Sequence, residues 1–540
     1  MAPQSFLGRF AFLCVCLPWL FGSSLATPTP PKNGTCTKTK VVILGAGMTG
    51  IAAAQALYNA SVTDFIIVDV NDYIGGRVKH TTFGKNASTS EPYVVELGAN
   101  WVQGLVSPEG PENPIWTLAK KWGLENTYSN YSMIQTYDQH GAADFAGLLD
   151  DYETAYATVE QDAGTILTDN LQDRTMRTGL SIADWKPKKN MQAQAAEWWE
   201  FDWEYSYSPD QSSQTFSIIN FNDTFYQFSD ENNFVIDQRG FNYMIEGEAY
   251  TFLTPNDTRL RLSTNVTSIT YSSYGVIIGM ADGSCIQADY AVCTFSLGVL
   301  QNDVVTFDPV LPAWKQASIE GMQMGTYTKI FFQFPPSADG TFFWEHGDDA
   351  ATQFFLYADP TERGYYPVFQ SLNAPDFIPG SGIFFVTVVY AQSYRAEQQS
   401  NDATKAEVME VLRTMFGSDI PDPIDFMYPR WSTEPWAYGS YSNWPPGLSL
   451  ETHQNLRANL GRLWFAGEAT SVGYFGFLQG AYTEGQFVGN TIAGCLGNNK
   501  TICKNEASYS KIRGCTTSER QLTANNGWFV SSMQTFGFEE

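Results

Sequence analysis

The run Lys40-Val-Val-Ile-Leu-Gly-Ala-Gly-Met-Thr-Gly50 leaves little structural choice. Val41 to Leu44 read as a buried parallel strand, and Gly45, Gly47 and Gly50 follow in Gly-x-Gly-x-x-Gly spacing. Ile51 to Tyr58 continue as an Ala-rich helix. Gly45 allows the tight strand-to-helix turn, Gly47 lets backbone approach a pyrophosphate, and Gly50 lets helix and strand pack closely. The helix N-terminus offers free N–H groups to the phosphates. A second apolar strand, Phe65-Ile-Ile-Val-Asp69, ends in a carboxylate 19 residues after Gly50. That is the place of a ribose-binding acid, and an acid there disfavours a 2′-phosphate. The pattern predicts a dinucleotide site in an α/β fold.

Asp69-Val-Asn-Asp-Tyr-Ile-Gly-Gly-Arg77 resembles the acid-to-Gly-Gly-Arg signature of the flavin-containing amine oxidases. So does the C-terminal Gly461-Arg-Leu-Trp-Phe-Ala-Gly-Glu468-Ala-Thr, followed by Gly480-Ala-Tyr-Thr-Glu-Gly-Gln. Glu96-Leu-Gly-Ala-Asn-Trp-Val102, Asp237-Gln-Arg-Gly240, Ser296-Leu-Gly-Val-Leu300, Tyr327-Thr-Lys-Ile330 and Ser442-Asn-Trp-Pro445 extend it. Together, over residues 40–495, the chain resembles the secreted plant-type polyamine oxidases most.

The resemblance implies a Rossmann-like FAD-binding domain interleaved with a mixed-sheet, helix-covered substrate domain. The expected FAD-binding segments are 38–110, 228–310 and 427–497, and the substrate-binding segments 111–227 and 311–426. It implies cofactor contacts from Gly45, Gly47, Gly50, Asp69, Gly76, Arg77, Trp101, Val266, Trp431, Glu468 and Phe477. Arg77 is expected at the phosphates and isoalloxazine side, where a permanent planar charge suits bidentate contact. In that family a hydride passes from the amine α-carbon to the flavin, water hydrolyses the imine, and O2 becomes hydrogen peroxide. Lys329 matches the family lysine that holds a water near the flavin, and a dry aromatic site would lower its pKa. Tyr441 and Phe477 match the two aromatic walls beside the substrate. The family commonly has Tyr at the second of these positions, so Phe477 lacks a hydroxyl.

Glu204 matches a tunnel acid suited to a distal ammonium, and Tyr205 and Tyr327 are expected to touch substrate. Gln103 departs from the pattern, because the plant enzymes carry an acid there; a neutral amide pairs less strongly with a cation. Asp202 is the candidate to compensate. No cysteine stands near Tyr441 or Tyr474, so noncovalent FAD is expected. No Cys/His spacing suggests a metal site.

Residues 1–26 read as a signal peptide: Arg9 is the only charge, Phe10 to Phe21 are mostly apolar, and Ser24-Leu25-Ala26 offers a small-x-small cleavage site. The apolar run is too short for a membrane span. Eight Asn-x-Ser/Thr sequons fit a secretory route: Asn33, Asn59, Asn86, Asn130, Asn222, Asn256, Asn265 and Asn499. A secreted or vacuolar glycoprotein is expected. Cys495 with Cys503 is the expected local disulfide, whereas Cys285 and Cys293 flank a strand-like segment and can equally be buried thiols. Without Arg9, 30 basic residues stand against 57 acidic ones. That balance disfavours nonspecific nucleic-acid binding and speeds encounter with cationic ligands.

Between the motifs, Pro111 to Phe228 reads as polar, aromatic and helical. Ile383 to Tyr390 reads as a buried strand, and Asp402 to Phe416 as an amphipathic helix stopped by Gly417. Residues 498–540 read as a polar tail. A monomer is expected. The competing enzyme is an L-amino-acid oxidase, which needs an arginine aimed at the substrate carboxylate, with Arg430 as its candidate. A competing non-enzyme is a secreted flavin-bearing protein without turnover.

Overall fold

The apolar run at Val41–Leu44 becomes an interior strand of the larger sheet. The computed structural model describes residues 36–108, 110–168, 171–345 and 351–497. The expected signal peptide, the polar tail, Asn33, Asn499 and Cys503 lie outside them. Strand Thr37–Leu44 pairs in parallel with Phe65–Val68 on one side and Cys285–Cys293 on the other. Leu260–Arg261 extends the parallel set beyond Phe65–Val68, and Leu463–Phe465 joins it beside the end of Cys285–Cys293. Val276–Met280 and Val266–Tyr271 continue the sheet as an antiparallel meander, with Thr306–Asp308 at the edge. Val41 to Leu44 are fully buried, as continuous apolar runs in parallel strands must be.

Helix Met48–Asn59 lies on this sheet and packs against helix Leu478–Leu496, so the first and last helices among the described residues share one core. The Cys36–Cys285 disulfide ties the start of the first strand to the start of its neighbour. Cys285 is therefore a disulfide partner and not a buried thiol. Cys293 is the free one, and burial pushes its thiol up to about 12. Cys495 is also disulfide-bonded.

A second, seven-stranded sheet runs in the order Asp425–Met427, Tyr327–Gln333, Ile383–Val389, Val368–Ser371, Phe354–Tyr357, Ile134–Asp138, Gly141–Ala142. Its members pair antiparallel except Phe354–Tyr357 with Ile134–Asp138, which run parallel. The segment expected to be helical thus also supplies strands. The Ile383 strand ends at Val389; Tyr390, with φ +46°, begins helix Tyr390–Gln398. The amphipathic helix spans Asn401–Phe416, capped by Ser400 and ended at Gly417, whose φ is +100°. Between the strands, helix Met191–Glu197 runs on through a π-helical turn, Trp198–Asp202, into Trp203–Tyr205. No helix among the described residues is long and apolar enough to cross a membrane.

Candidate active site

A cavity of about 580 Å³ runs from the glycine turn, along both sheets, to the Trp203–Tyr205 segment. At one end Gly45 has φ +121°, and a Cβ on Gly50 would collide with the Gly45 carbonyl oxygen. Only glycine permits both this turn and this packing. Gly47 precedes helix Met48–Asn59 without any side-chain cap, which leaves the first N–H groups open to an anion at the cavity wall. Asp69 accepts from Ala46 N at 2.6 Å and Asn71 N at 2.8 Å, and burial raises its pKa. Gly76 and Val266 line the same end. An uncapped helix start, a glycine cradle and a strand-end carboxylate are a donor set that fits the ribose and pyrophosphate of FAD.

Arg77 lines the cavity, but part of its guanidinium is committed to protein. Nη1 donates to Glu468 Oε1 at 2.8 Å and to Ser440 O at 2.9 Å. Glu468 Oε2 accepts from Ser442 Oγ at 2.6 Å and Gly476 N at 2.9 Å. Glu468 therefore knits together Arg77, the Tyr441–Ser442 segment and the Gly476–Phe477 turn. It sits on a short 3-10 turn, Glu468–Thr470, behind strand Leu463–Phe465.

Farther along, strand Tyr327–Gln333 presents Lys329, only 1% exposed. Its Nζ donates to Glu96 O at 2.9 Å, Gly98 O at 2.8 Å and Asn100 Oδ1 at 2.9 Å. It also stands 5.4 Å from the Trp101 ring centre, a cation–π distance. Burial pushes the lysine pKa down to about 7, against the opposing pull of Glu96. Burial likewise raises Glu96 to about 7; its Oε1 accepts from Phe241 N, while Oε2 has no hydrogen-bond partner. Three oxygens use all three N–H bonds of the ammonium. A water on Lys329 therefore requires one of them to be released.

Tyr441 and Phe477 both line the cavity, and Gly476 lies against the Tyr441 ring. The Tyr441 hydroxyl donates to Glu204 O at 2.8 Å, and its ring faces Tyr327 at 6.0 Å. Phe477 meets Phe225 edge-on at 6.0 Å. Trp101 packs edge-on against Trp203 at 5.3 Å. Trp431 stands on a 3-10 turn with its indole N–H on Leu97 O at 3.3 Å. Gln103 Nε2 donates to both oxygens of Glu204, at 2.9 and 3.2 Å. No cation pairs with Glu204 among the described residues, and burial raises its carboxyl to about 7.

Several expectations change in space. Tyr205 lines the cavity, but its hydroxyl is spent on Ser217 O at 2.8 Å. Asp202 does not compensate for Gln103: it accepts two bonds from Arg363 and lies outside the cavity wall. Arg430 also lies outside the wall; its guanidinium holds Glu397 O, Gln399 O and Asn401. Asn222, one of the sequons, is buried in a π-helical turn. Sequence reasoning missed Asn100 and Glu96 as the lysine's neighbours, although both stand in the Glu-Leu-Gly-Ala-Asn stretch. It also missed Trp203, Asn220 and Gln479 in the wall.

The chain belongs to the flavin-containing amine oxidoreductase family, whose model matches residues 48–492. It is similar to polyamine oxidase 7 of Oryza sativa subsp. japonica, 36% identical over 464 residues covering 83% of this chain and 93% of the rice protein. It is similar to polyamine oxidase 1 of Zea mays, 35% identical over 532 residues covering 93% and 98%. Its fold is similar to wild-type putrescine oxidase solved with putrescine bound: TM-score 0.64 and 15% identity, covering 85% of this chain and 99% of that one. The protein is an FAD-dependent amine oxidoreductase.

Proposed function

We propose that this protein is a polyamine oxidase acting on spermine, spermidine or their acetylated forms. It would oxidise a carbon next to the secondary amine, with imine hydrolysis and reduction of O2 to hydrogen peroxide. The observation that carries this reading is Glu204: an aromatic-walled cavity ends in a carboxyl with an amide beside it and no cation to pair with among the described residues. Such a group recognises an ammonium distant from the reacting carbon. FAD, which would be held without a covalent bond in keeping with the lack of a cysteine in the cavity wall among the described residues, supplies hydride acceptance and electron delivery to oxygen.

The chain's own residues do the rest. Tyr441, Phe477 and Tyr327 confine the alkyl chain and aim one C–H bond. Lys329, with its pKa brought near neutrality, holds or passes a proton at Nζ. Arg77, Asp69, Glu468 and the glycine turn hold the cofactor, with Trp101, Val266 and Trp431 beside it. Segments 38–110, 228–310 and 427–497 serve as the FAD domain, and 111–227 with 311–426 as the substrate domain. A secretory route is part of the same proposal, supported by the Cys36–Cys285 disulfide and by exposed sequons such as Asn59 and Asn256.

The test is anaerobic bleaching of the bound flavin with spermine, spermidine, N1-acetylspermine and L-amino acids, followed by product analysis. Bleaching by a polyamine, with peroxide formed on admitting air, is expected. Bleaching by amino acids alone sinks the proposal. That outcome would also demand a guanidinium free for a carboxylate, whereas Arg430 is engaged elsewhere and Arg77 is tied to Glu468. A yellow protein that no amine bleaches would return the reading without turnover.

A further inference from the structure

Behind the cavity wall, helix Tyr390–Gln398 buries a carboxylate without a cation. Glu397 is 3% exposed and does not line the cavity. No salt bridge includes it among the described residues, and Arg430 donates to its backbone oxygen instead. Its Oε1 accepts from Thr328 Oγ1 at 2.5 Å, Trp431 N at 3.1 Å and Ser393 Oγ at 3.4 Å. Its Oε2 accepts from Ser432 N at 2.8 Å and from the Ser432 hydroxyl. A buried carboxylate without a counter-ion persists only where donors occupy its lone pairs, as they do here.

Apart from Ser393, which sits on the same helix as Glu397, these donors belong to two segments that reach the cavity. Thr328 immediately precedes Lys329, and Trp431 and Ser432 open the turn that carries the Trp431 indole. The two segments meet again on the far side. Lys329 Nζ donates to Glu96 O and Gly98 O, and the Trp431 indole donates to Leu97 O between them. Lysine and indole are therefore held between two shared anchors, residues 96–100 in front and one carboxylate behind.

We propose that Glu397 is a positioning residue that sets Lys329 and Trp431 in a common geometry while touching neither substrate nor cofactor. The proposal rests on the reading of Lys329 as the residue that handles the proton. Glu397→Gln keeps the shape but turns an acceptor oxygen into an N–H donor facing donors.

The experiment is a double-mutant cycle in the FAD-loaded full chain with Glu397→Gln, Lys329→Met and both. One readout is the anaerobic flavin-bleaching rate with spermine; the other is FAD affinity from the fluorescence of released flavin. Alone, Glu397→Gln is expected to slow bleaching about 10-fold, the scale of a small misplacement. In the Lys329→Met background it should slow bleaching less than about 2-fold, since residues acting as one unit are not additive. FAD affinity should also fall, through Trp431. Equal losses in both backgrounds, or an unchanged rate and affinity, overturn the proposal. Lys329→Met bleaching as fast as wild type overturns the lysine reading and this proposal with it. If Glu397→Gln yields no folded protein, Ser432→Ala and Thr328→Val, each removing one donor, carry the same cycle.

Discussion

Glu204 shows how burial sets the working range of a single residue. Its folded pKa of about 7 lies above the ordinary 4.5, chiefly through desolvation. Between those values the folded protein keeps a proton that the unfolded chain has released, so stability falls as pH rises through that window. Below 4.5 the penalty is absent, and above about 7 it is fully present. Glu204→Gln should therefore raise the melting temperature of the apoprotein at pH 8 and change it little at pH 4, measurable by scanning fluorimetry. Under the proposed function the same ionisation would serve an ammonium ligand. The KM for spermine should fall in wild type as pH rises past about 7, and that limb should vanish in the variant. Lys329 is the second residue-scale test. Lys329→Met should slow anaerobic flavin reduction about 100-fold, at the low end for loss of a group that moves a proton. Stopped-flow absorbance reads this directly.

The π-helical turn Trp198–Asp202 determines which side chains reach the cavity from the helical layer. Its extra residue per turn re-aims the next three positions, Trp203, Glu204 and Tyr205. Arg363 clamps both ends, bonding Glu197 at 3.0 Å before the turn and Asp202 at its close. Glu197 keeps Arg177 as a second partner, but Asp202 is 3% exposed and has no other salt bridge among the described residues, so removing the arginine strands its charge in the interior. Arg363→Met should destabilise by about 3–5 kcal/mol, the cost of breaking a buried pair from one side. Denaturant melts measure that loss, and a raised spermine KM would accompany it through Glu204.

Neither this turn nor its clamp was legible in the sequence, because π-turns carry no propensity signal and Arg363 lies far along the chain. Strand Ile134–Asp138 was missed for a related reason: Ile-Gln-Thr-Tyr-Asp has a strand's composition but stands among helical patterns. The glycine turn and the helix stopped by Gly417 were legible, since backbone geometry and a helical apolar period dictate residue type within a few positions. Lys329 could be singled out, but its partners could not. Two of them are backbone carbonyls more than 230 residues away, and a carbonyl leaves no mark in a sequence.

At the scale of the whole molecule, one disulfide spans 249 residues. Chain-entropy reasoning gives such a loop about 5 kcal/mol, with typical native bridges nearer 2–4 kcal/mol. Cys285→Ser should lower the thermal midpoint and shrink its response to added thiol to what the Cys495 bridge supplies, whereas wild type should shift further downward in reductant. The interleaved sheet has a further consequence. Strand Leu463–Phe465 completes a sheet that includes strand 37–44, and Arg77 meets Glu468 across 391 residues. During translation the glycine turn emerges early, while the cavity wall opposite it is still unmade. If that turn holds the flavin as proposed, capture of the cofactor belongs to the last stage of biosynthesis. A polypeptide stopped before residue 463 would leave the ribosome with its cofactor grip begun and its Arg77 without an acid.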